Sequence, residues 1–190
     1  MSLLVMNRPA IVEDLVRSVL DEMGEDPKRN GLVDTPRRVA ESFKELTKGY
    51  KMTAGDVIQG AIFDCDSNGL VLQKGTEFYS MCEHHLLPFF GEVHLAYIPN
   101  GKIIGLSKIG RLIDVFASRL QVQERLTDQI AEAIDKAIKP KALVVKVEAR
   151  HFCLMMRGVK KQSSATITTG LRGLATSDSD MRREIFAQMD

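Results

Sequence analysis

Disulfide chemistry is what this sequence has least material for. Three cysteines, an odd number without framework spacing, fit a reducing, cytoplasmic setting better than secretion. Excess charge of either sign is also missing: 26 Lys and Arg against 25 Asp and Glu leave a net +1. Nothing in that balance draws the chain to nucleic acid or to an anionic membrane surface. Long apolar runs are lacking as well. No segment approaches membrane-spanning length, and Met1 to Leu20, broken by Arg8, Pro9, Glu13 and Asp14, has no apolar stretch of signal-peptide kind. Internal repeats and low-complexity tracts are absent. With 44% hydrophobic and 27% charged residues over 190 positions, the chain has material for one useful core.

The pattern along the chain changes twice. Ile11, Val12, Leu15, Val16, Val19, Leu20 and Met23 fall at helical spacing, with Pro9 suited to the first turn and Gly24 to the stop. A second helix is expected from Thr35-Pro36, carrying Val39, Phe43 and Leu46 inward and stopping at Gly49. From about Gly69 the period becomes two. Leu70–Leu72 and Phe78–Tyr79 read as short runs, Val93, Leu95 and Tyr97 alternate with polar neighbours, and Pro99-Asn100-Gly101 marks a turn before Lys102–Ile104. Two helices follow. The first is capped by Ser107 and buries Ile109, Leu112, Ile113 and Phe116; the second carries Val122, Leu126, Ile130, Ile134 and Ile138 and stops at Pro140. Leu143, Val145, Val147 and Ala149 share one parity of a returning strand, and Ser163 to Thr169 reads as the last strand. Blocks of strands and helices in this order predict an α+β domain with an antiparallel sheet. A helical region over residues 1–60 is expected to pack on a main body over 61–190.

The chemistry is concentrated in two places. Cys82-Glu83-His84-His85 and His151-Phe152-Cys153 hold two of the three cysteines and three of the four histidines. A cysteine, a histidine close behind it and one distant cysteine make the ligand count of a catalytic zinc, which keeps a position open for water. Only one of His84 and His85 need bind metal, leaving the other for proton transfer. On a continuing strand, His151 and Cys153 would share a face. Cys65 and His94 lack such company and read as structural. A zinc-activated water would give a nucleophile at neutral pH, with histidine as acid and base. Gln123 and Glu124 open a helix; a glutamate there can accept two hydrogen bonds from guanine while the amide serves an adjacent edge. Lys108, Arg111, Arg157, Lys160 and Lys161 lie near these motifs, and the helix start at Ser107-Lys108 favours phosphate. Gly105-Leu106-Ser107-Lys108 lacks P-loop spacing, which argues against ordinary nucleoside triphosphatase chemistry. A zinc nucleobase deaminase is excluded by the missing His-x-Glu and Pro-Cys-x-x-Cys motifs.

Glu77-Phe78-Tyr79-Ser80 running into Met81–His85, Ala96-Tyr97-Ile98-Pro99, Gly105–Lys108, Gln121–Thr127 and Arg157-Gly158-Val159 together resemble the GTP cyclohydrolase I family. Thr35–Val39 and Glu45-Leu46 through Gly49-Tyr50 resemble its N-terminal helical part, so the likeness runs from about Pro9 to Gly173. The resemblance implies the tunnelling fold (T-fold): a four-stranded antiparallel sheet with two helices on one face, preceded by an N-terminal helical pair. It implies opening of the GTP imidazole ring, release of C8 as formate and reclosure to 7,8-dihydroneopterin triphosphate, the entry to tetrahydrofolate or other pterins. It implies Zn2+ on Cys82, His85 and Cys153, proton transfer by His84 and His151, and Ser107 near the ribose and phosphates. Guanine would lie on Gln123 and Glu124, and the triphosphate on Lys108, Arg111 and Arg157, with Arg38 contributed by another subunit of a toroidal homodecamer. The alternative expectation is a non-catalytic T-fold purine- or pterin-binding protein with a structural zinc, its fourth ligand supplied by His84 or His151.

Overall fold

The computed structural model describes residues 8–189, with side chains from residue 11 onward. The earlier part of the Met1–Leu20 reading, up to Asn7, lies outside the described residues. The chain divides into a small helical unit ending at Thr47 and a larger unit beginning at Lys48.

The helical unit is a pair, α1 (Arg8–Glu22) and α2 (Thr35–Leu46), packed against each other. Gly24 closes α1 with a φ of +80°, which glycine adopts without a Cβ clash. Only part of the expected apolar face is covered. Val12, Val16 and Leu20, four apart, are half-buried, whereas Ile11, Leu15, Val19 and Met23 stand exposed. In α2 the expected inward residues Val39 and Phe43 are half-buried and Leu46 is exposed, while Pro36 and Ala40 are buried. Pro36 sits in the first turn as expected, but the cap residue is Asp34 rather than Thr35.

The larger unit runs α3 (Ala54–Ile58), β1 (Ile62–Asp64), β2 (Val71–Cys82), β3 (Pro88–Ile98), β4 (Lys102–Ile104), α4 (Leu106–Ala117), β5 (Leu120–Gln121), α5 (Gln123–Ile138), β6 (Ala142–His151), α6 (Phe152–Met155), β7 (Thr166–Gly173) and α7 (Ser179–Met189). The expected four-stranded antiparallel sheet is β2-β3-β6-β7. Two residues of β5 add a parallel edge beside the end of β2, and β1 pairs separately with β4. The two apolar runs expected before residue 80 are one strand. A bulge between Gln73 and Thr76, with Gly75 at φ +67°, breaks their alternation without ending the pairing.

The core explains the sequence pattern. Phe78, Val93, Leu95, Tyr97, Leu143, Val145, Val147 and Ala149 bury one sheet face against Ile109, Leu112, Ile113 and Phe116 of α4 and Leu126, Ile130, Ile134 and Ile138 of α5. The opposite parity is not simply solvent-facing. Ala96, Ala142 and Val144 are buried beneath Ile185 and Met189 of α7, so the tail after Gly173 covers part of the second face. Helix α4 starts from Gly105 and not from a Ser107 cap, leaving Ser107 exposed inside the first turn. Arg119 ties the chain entering this unit to the core, donating to Gly49 O at 3.1 Å and to Met52 O at 3.1 Å.

Strands β3 and β6 approach so closely at one point that only glycine fits. A Cβ at Gly91 would lie 1.9 Å from Glu148 O and 2.7 Å from Ala149 Cα, both backbone atoms. Gly91→Ala is therefore expected to destabilise the fold by on the order of 3 kcal/mol in urea unfolding, whereas Gly55→Ala, whose nearest neighbour is 3.8 Å away, should change stability by no more than about 1 kcal/mol.

His94 generates a pH prediction. Its Nδ1 accepts from Gly75 N at 3.3 Å, in the bulge. Burial, then the Lys146 charge, hold its pKa below the ordinary 6.5, with Lys74 acting in the same direction and Glu92 and Glu148 opposing. A depressed histidine leaves the unfolded chain binding a proton that the folded chain refuses. Stability is thus lost as pH falls below about 6.5 and levels off beneath the folded pKa. His94→Gln should flatten the acid limb of a stability-against-pH curve while leaving pH 8 nearly unchanged; an unaltered acid limb would refute this.

Candidate functional site

The site forms where three strand ends meet. Strand β2 ends at Cys82, and the loop to β3 folds back on it: Cys82 N donates to Leu87 O at 2.8 Å and Leu86 N to Cys82 O at 2.9 Å. Leu86 takes a φ of +53°, a left-handed turn that compresses the loop and presents His84 and His85 beside the strand end. Their Nδ1 atoms lie 3.8 and 3.9 Å from Cys82 Sγ. Strand β6 ends opposite, with His151 paired to Phe89. One ligand atom each from Cys82, His85 and Cys153 lies within 4.8 Å of the others.

Cys153 reaches this cluster by a route that strand parity did not foresee. The strand stops at His151, and Cys153 lies in the short helix α6. The helical turn, not alternation, swings its thiol toward Cys82. Burial raises the Cys153 pKa, and the Cys82 sulfur beside it raises it further. Two thiols and an imidazole converging from two separate elements, with burial and mutual repulsion opposing thiolate charge, form a donor set whose charge a soft divalent cation would neutralise.

His151 is held on three sides. It stacks on Phe89 with ring centroids 4.6 Å apart and planes 2° from parallel. Its Nε2 lies 2.8 Å from Gln123 Oε1. Burial lowers its pKa from the ordinary value, partly offset by the charge of Glu124. Gln123 is itself buried and its amide nitrogen is committed inside the protein, to Val147 O, Thr166 O and Thr168 Oγ1 at 3.0, 2.9 and 3.2 Å. Glu124, next along the helix, is exposed in a groove with Arg125, Asp128 and Arg172.

The other candidates occupy different places in one chain. Lys108 and Arg111 of α4 line a basic cleft of about 440 Å³ with Lys48 and Lys51, tempered by Asp56 and Asp114. Ser107 is exposed at the start of the same helix. Arg157 is exposed just beyond α6, close enough to Cys153 for its charge to lower the thiol pKa slightly. Arg38 lies on α2 of the helical unit, ion-paired with Asp34 at 3.3 Å.

A brace at the site escaped sequence reasoning. Glu83, between the ligands, pairs with Arg125, and this holds the carboxyl below the usual glutamate range. Arg125 also donates to Gln121 Oε1 at 2.9 Å and to Leu120 O at 3.0 Å, and Glu83 N donates to Gln121 O at 3.0 Å. The loop carrying His84 and His85 is thereby fastened to the start of α5. The four-residue spacing of Gln121 and Arg125 was the only sequence trace of this.

The family model described as GTP cyclohydrolase I matches residues 12–190. Curated relatives carrying the name GTP cyclohydrolase 1 include one from Leptospira biflexa serovar Patoc, 53% identical over 92% of this chain and 96% of that protein. Another, from Campylobacter curvus, is 51% identical over 92% of each, and one from Methylococcus capsulatus is 49% identical over 93% and 96%. Among solved structures, the apo archaeosine synthase QueF-Like aligns partially, at TM-score 0.48 and 20% identity over 57% of this chain and 97% of that one.

The donor set makes a direct prediction. Elemental analysis after dialysis should find one metal ion per chain. Cys82→Ser and Cys153→Ser should each weaken retention by at least about 10-fold, whereas Cys65→Ser should match the unaltered protein. Equal loss from Cys65→Ser would show that the metal does not sit on these three residues.

Proposed function

We propose that this chain, which belongs to the GTP cyclohydrolase I family, hydrolyses the imidazole ring of GTP, releases C8 as formate and recloses the ring to 7,8-dihydroneopterin triphosphate, the first step toward tetrahydrofolate and related pterins. The observation that carries this reading is the convergence of Cys82, His85 and Cys153 beside a clamped His151, with Glu124 close enough for its charge to act on that ring.

The metal we assign is Zn2+, since two thiols and one imidazole suit zinc and leave a position open. Bound there, zinc supplies Lewis acidity that makes water a competent nucleophile near neutral pH. The chain's own residues do the rest. Glu124 accepts from the ring NH and exocyclic amine of guanine and orients C8 toward the metal ligands. His84, whose Nδ1 lies 3.8 Å from Cys82 Sγ, hands protons to the departing imidazole nitrogen. His151 serves the later ring-opening and ring-closing transfers, with Ser107 near the ribose. Lys108, Arg111 and Arg157 hold the triphosphate, joined by Arg38. In this reading Gln123 supports His151, its amide nitrogen being already committed, while Glu124 alone reads the guanine edge.

The basic cleft on α4 and the metal loop are separate features of one chain. We therefore assign the complete site to an interface in a toroidal homodecamer, where Arg38 and part of the basic set come from a neighbouring copy. The division into residues 1–60 and a catalytic body over 61–190 belongs to the same proposal. So does a cytoplasmic setting. No described helix is long and apolar enough to cross a membrane, and a net charge of +1 gives no reason to invoke nucleic acid.

The test is turnover of GTP by purified, zinc-loaded protein, followed as formate and as dihydropterin absorbance. Both products should appear together and both should cease with a chelator. Intact, zinc-loaded protein that leaves GTP unchanged would instead identify a purine- or pterin-binding protein with a structural metal.

A further inference from the structure

The hydrogen-bond chain around Gln123 fixes the direction of every proton in it. Thr127 Oγ1 donates to Gln123 O at 2.8 Å, the backbone carbonyl four residues back on α5. Its single hydrogen is then spent, so the 2.6 Å contact between Thr127 and Thr168 must be a donation from Thr168 Oγ1. Thr168 is left with lone pairs facing Gln123, 3.2 Å from Nε2. The other two neighbours of Nε2, Val147 O and Thr166 O, are carbonyls and can only accept. Turning the amide over would place its oxygen against three acceptors. The amide therefore has one permitted orientation, and the atom facing His151 is Oε1, which only accepts.

We infer that Gln123 is a positioning residue that sets the tautomer of His151, keeping the proton on Nε2 and leaving Nδ1 as the nitrogen that exchanges protons with substrate. The inference rests on the reading of this site as a GTP cyclohydrolase I centre for the word substrate, and on geometry alone for the tautomer. A neutral imidazole carries one ring proton; donated to Oε1, it leaves the lone pair on Nδ1. A proton leaving the substrate forms a bond to Nδ1, giving an imidazolium whose Nε2–H still points at Gln123. The same proton returns from Nδ1 in a later step, and the residue ends as it began. Stacking on Phe89 fixes the plane of the ring while Gln123 fixes its rotation in that plane. The clamp is built from the two strands and the helix that frame the site: Val147 on β6, Thr166 and Thr168 on β7, Thr127 on α5. With both Nε2 hydrogens claimed inside the protein, Gln123 has no donor left for the guanine edge, which separates the tasks of Gln123 and Glu124 although they are adjacent in sequence.

Neutron diffraction from deuterium-exchanged, zinc-loaded crystals at pH 8 reads the proton directly. Deuterium on His151 Nε2 with none on Nδ1 is expected; deuterium on Nδ1, alone or together with Nε2, overturns the inference. Gln123→Leu supplies a second reading. It should lower kcat for dihydropterin formation by about 10- to 100-fold, with KM for GTP and bound metal unchanged. A folded, metal-loaded variant with unaltered kcat overturns the positioning role, and one whose KM alone rises returns Gln123 to guanine recognition. Where the variant does not fold, the neutron map of the unaltered protein decides. Deuterium on Nε2 in a protein without GTP turnover would retract the reaction and keep the tautomer.

Discussion

The unbroken register of β3 against β6, from Phe89 opposite His151 to Ile98 opposite Ala142, is what the rest of the site depends on. It sets the end of β6 beside the start of β3, and the tight loop before β3 returns to Cys82 at the end of β2. Two sequence clusters more than sixty residues apart become neighbours through that one pairing. Because strand side chains alternate, a slip of one residue would turn His151 away from Phe89 and detach the clamp from the Cys82, His85 and Cys153 cluster. Gly91 permits the close approach along this seam, since any Cβ there would collide with the backbone of β6.

Around that seam the protein uses two kinds of support. Of the candidate ligands, Cys82 ends a strand, while His85 and Cys153 sit on local turns, the left-handed Leu86 on one side and the single helical turn of α6 on the other. Turns aim side chains where a regular strand cannot, but they have little packing of their own. The supports that hold them come from α5. Arg125 fastens the Glu83 loop to the start of that helix, and Gln123 fastens His151 to the same turn. Buried hydrophobic contacts of Leu126, Ile130 and Ile134 anchor the helix to the sheet, so the precision of the site derives from core packing through very few polar links. Such buried links are costly to leave half-made, which is why each member of the Gln123 chain has a partner.

The arrangement also explains a division of charge. The His151 ring is half-buried with its pKa held below the ordinary value, whereas Arg111 on α4 and Arg157 beyond α6 are exposed. Desolvation keeps a histidine basic nitrogen free at neutral pH, while lysine and arginine in water remain charged without cost.

Much of this was legible in the residues themselves. The clustering of Cys82, His84, His85, His151 and Cys153 pointed to a metal because those residue types are rare, while the choice of His85 over His84 came only from the family resemblance; the periodicities marked α4, α5 and the central strands because burial imposes them on sequence. Other features had no local signature. The bulge at Gly75 made one strand look like two, α7 covered a sheet face that alternation alone would leave to solvent, and Cys153 left the strand before its parity mattered. Gln123 is the sharpest case. The family resemblance set it with Glu124 against guanine, but the acceptors that claim its amide nitrogen lie on β6 and β7, distant in sequence. Sequence by itself determined which chemical groups are present and which segments bury apolar surface, since both are properties of residue type and spacing. Only the tertiary structure decided which way each group points and which hydrogen bonds are already taken, because those depend on atoms brought together by long-range pairing.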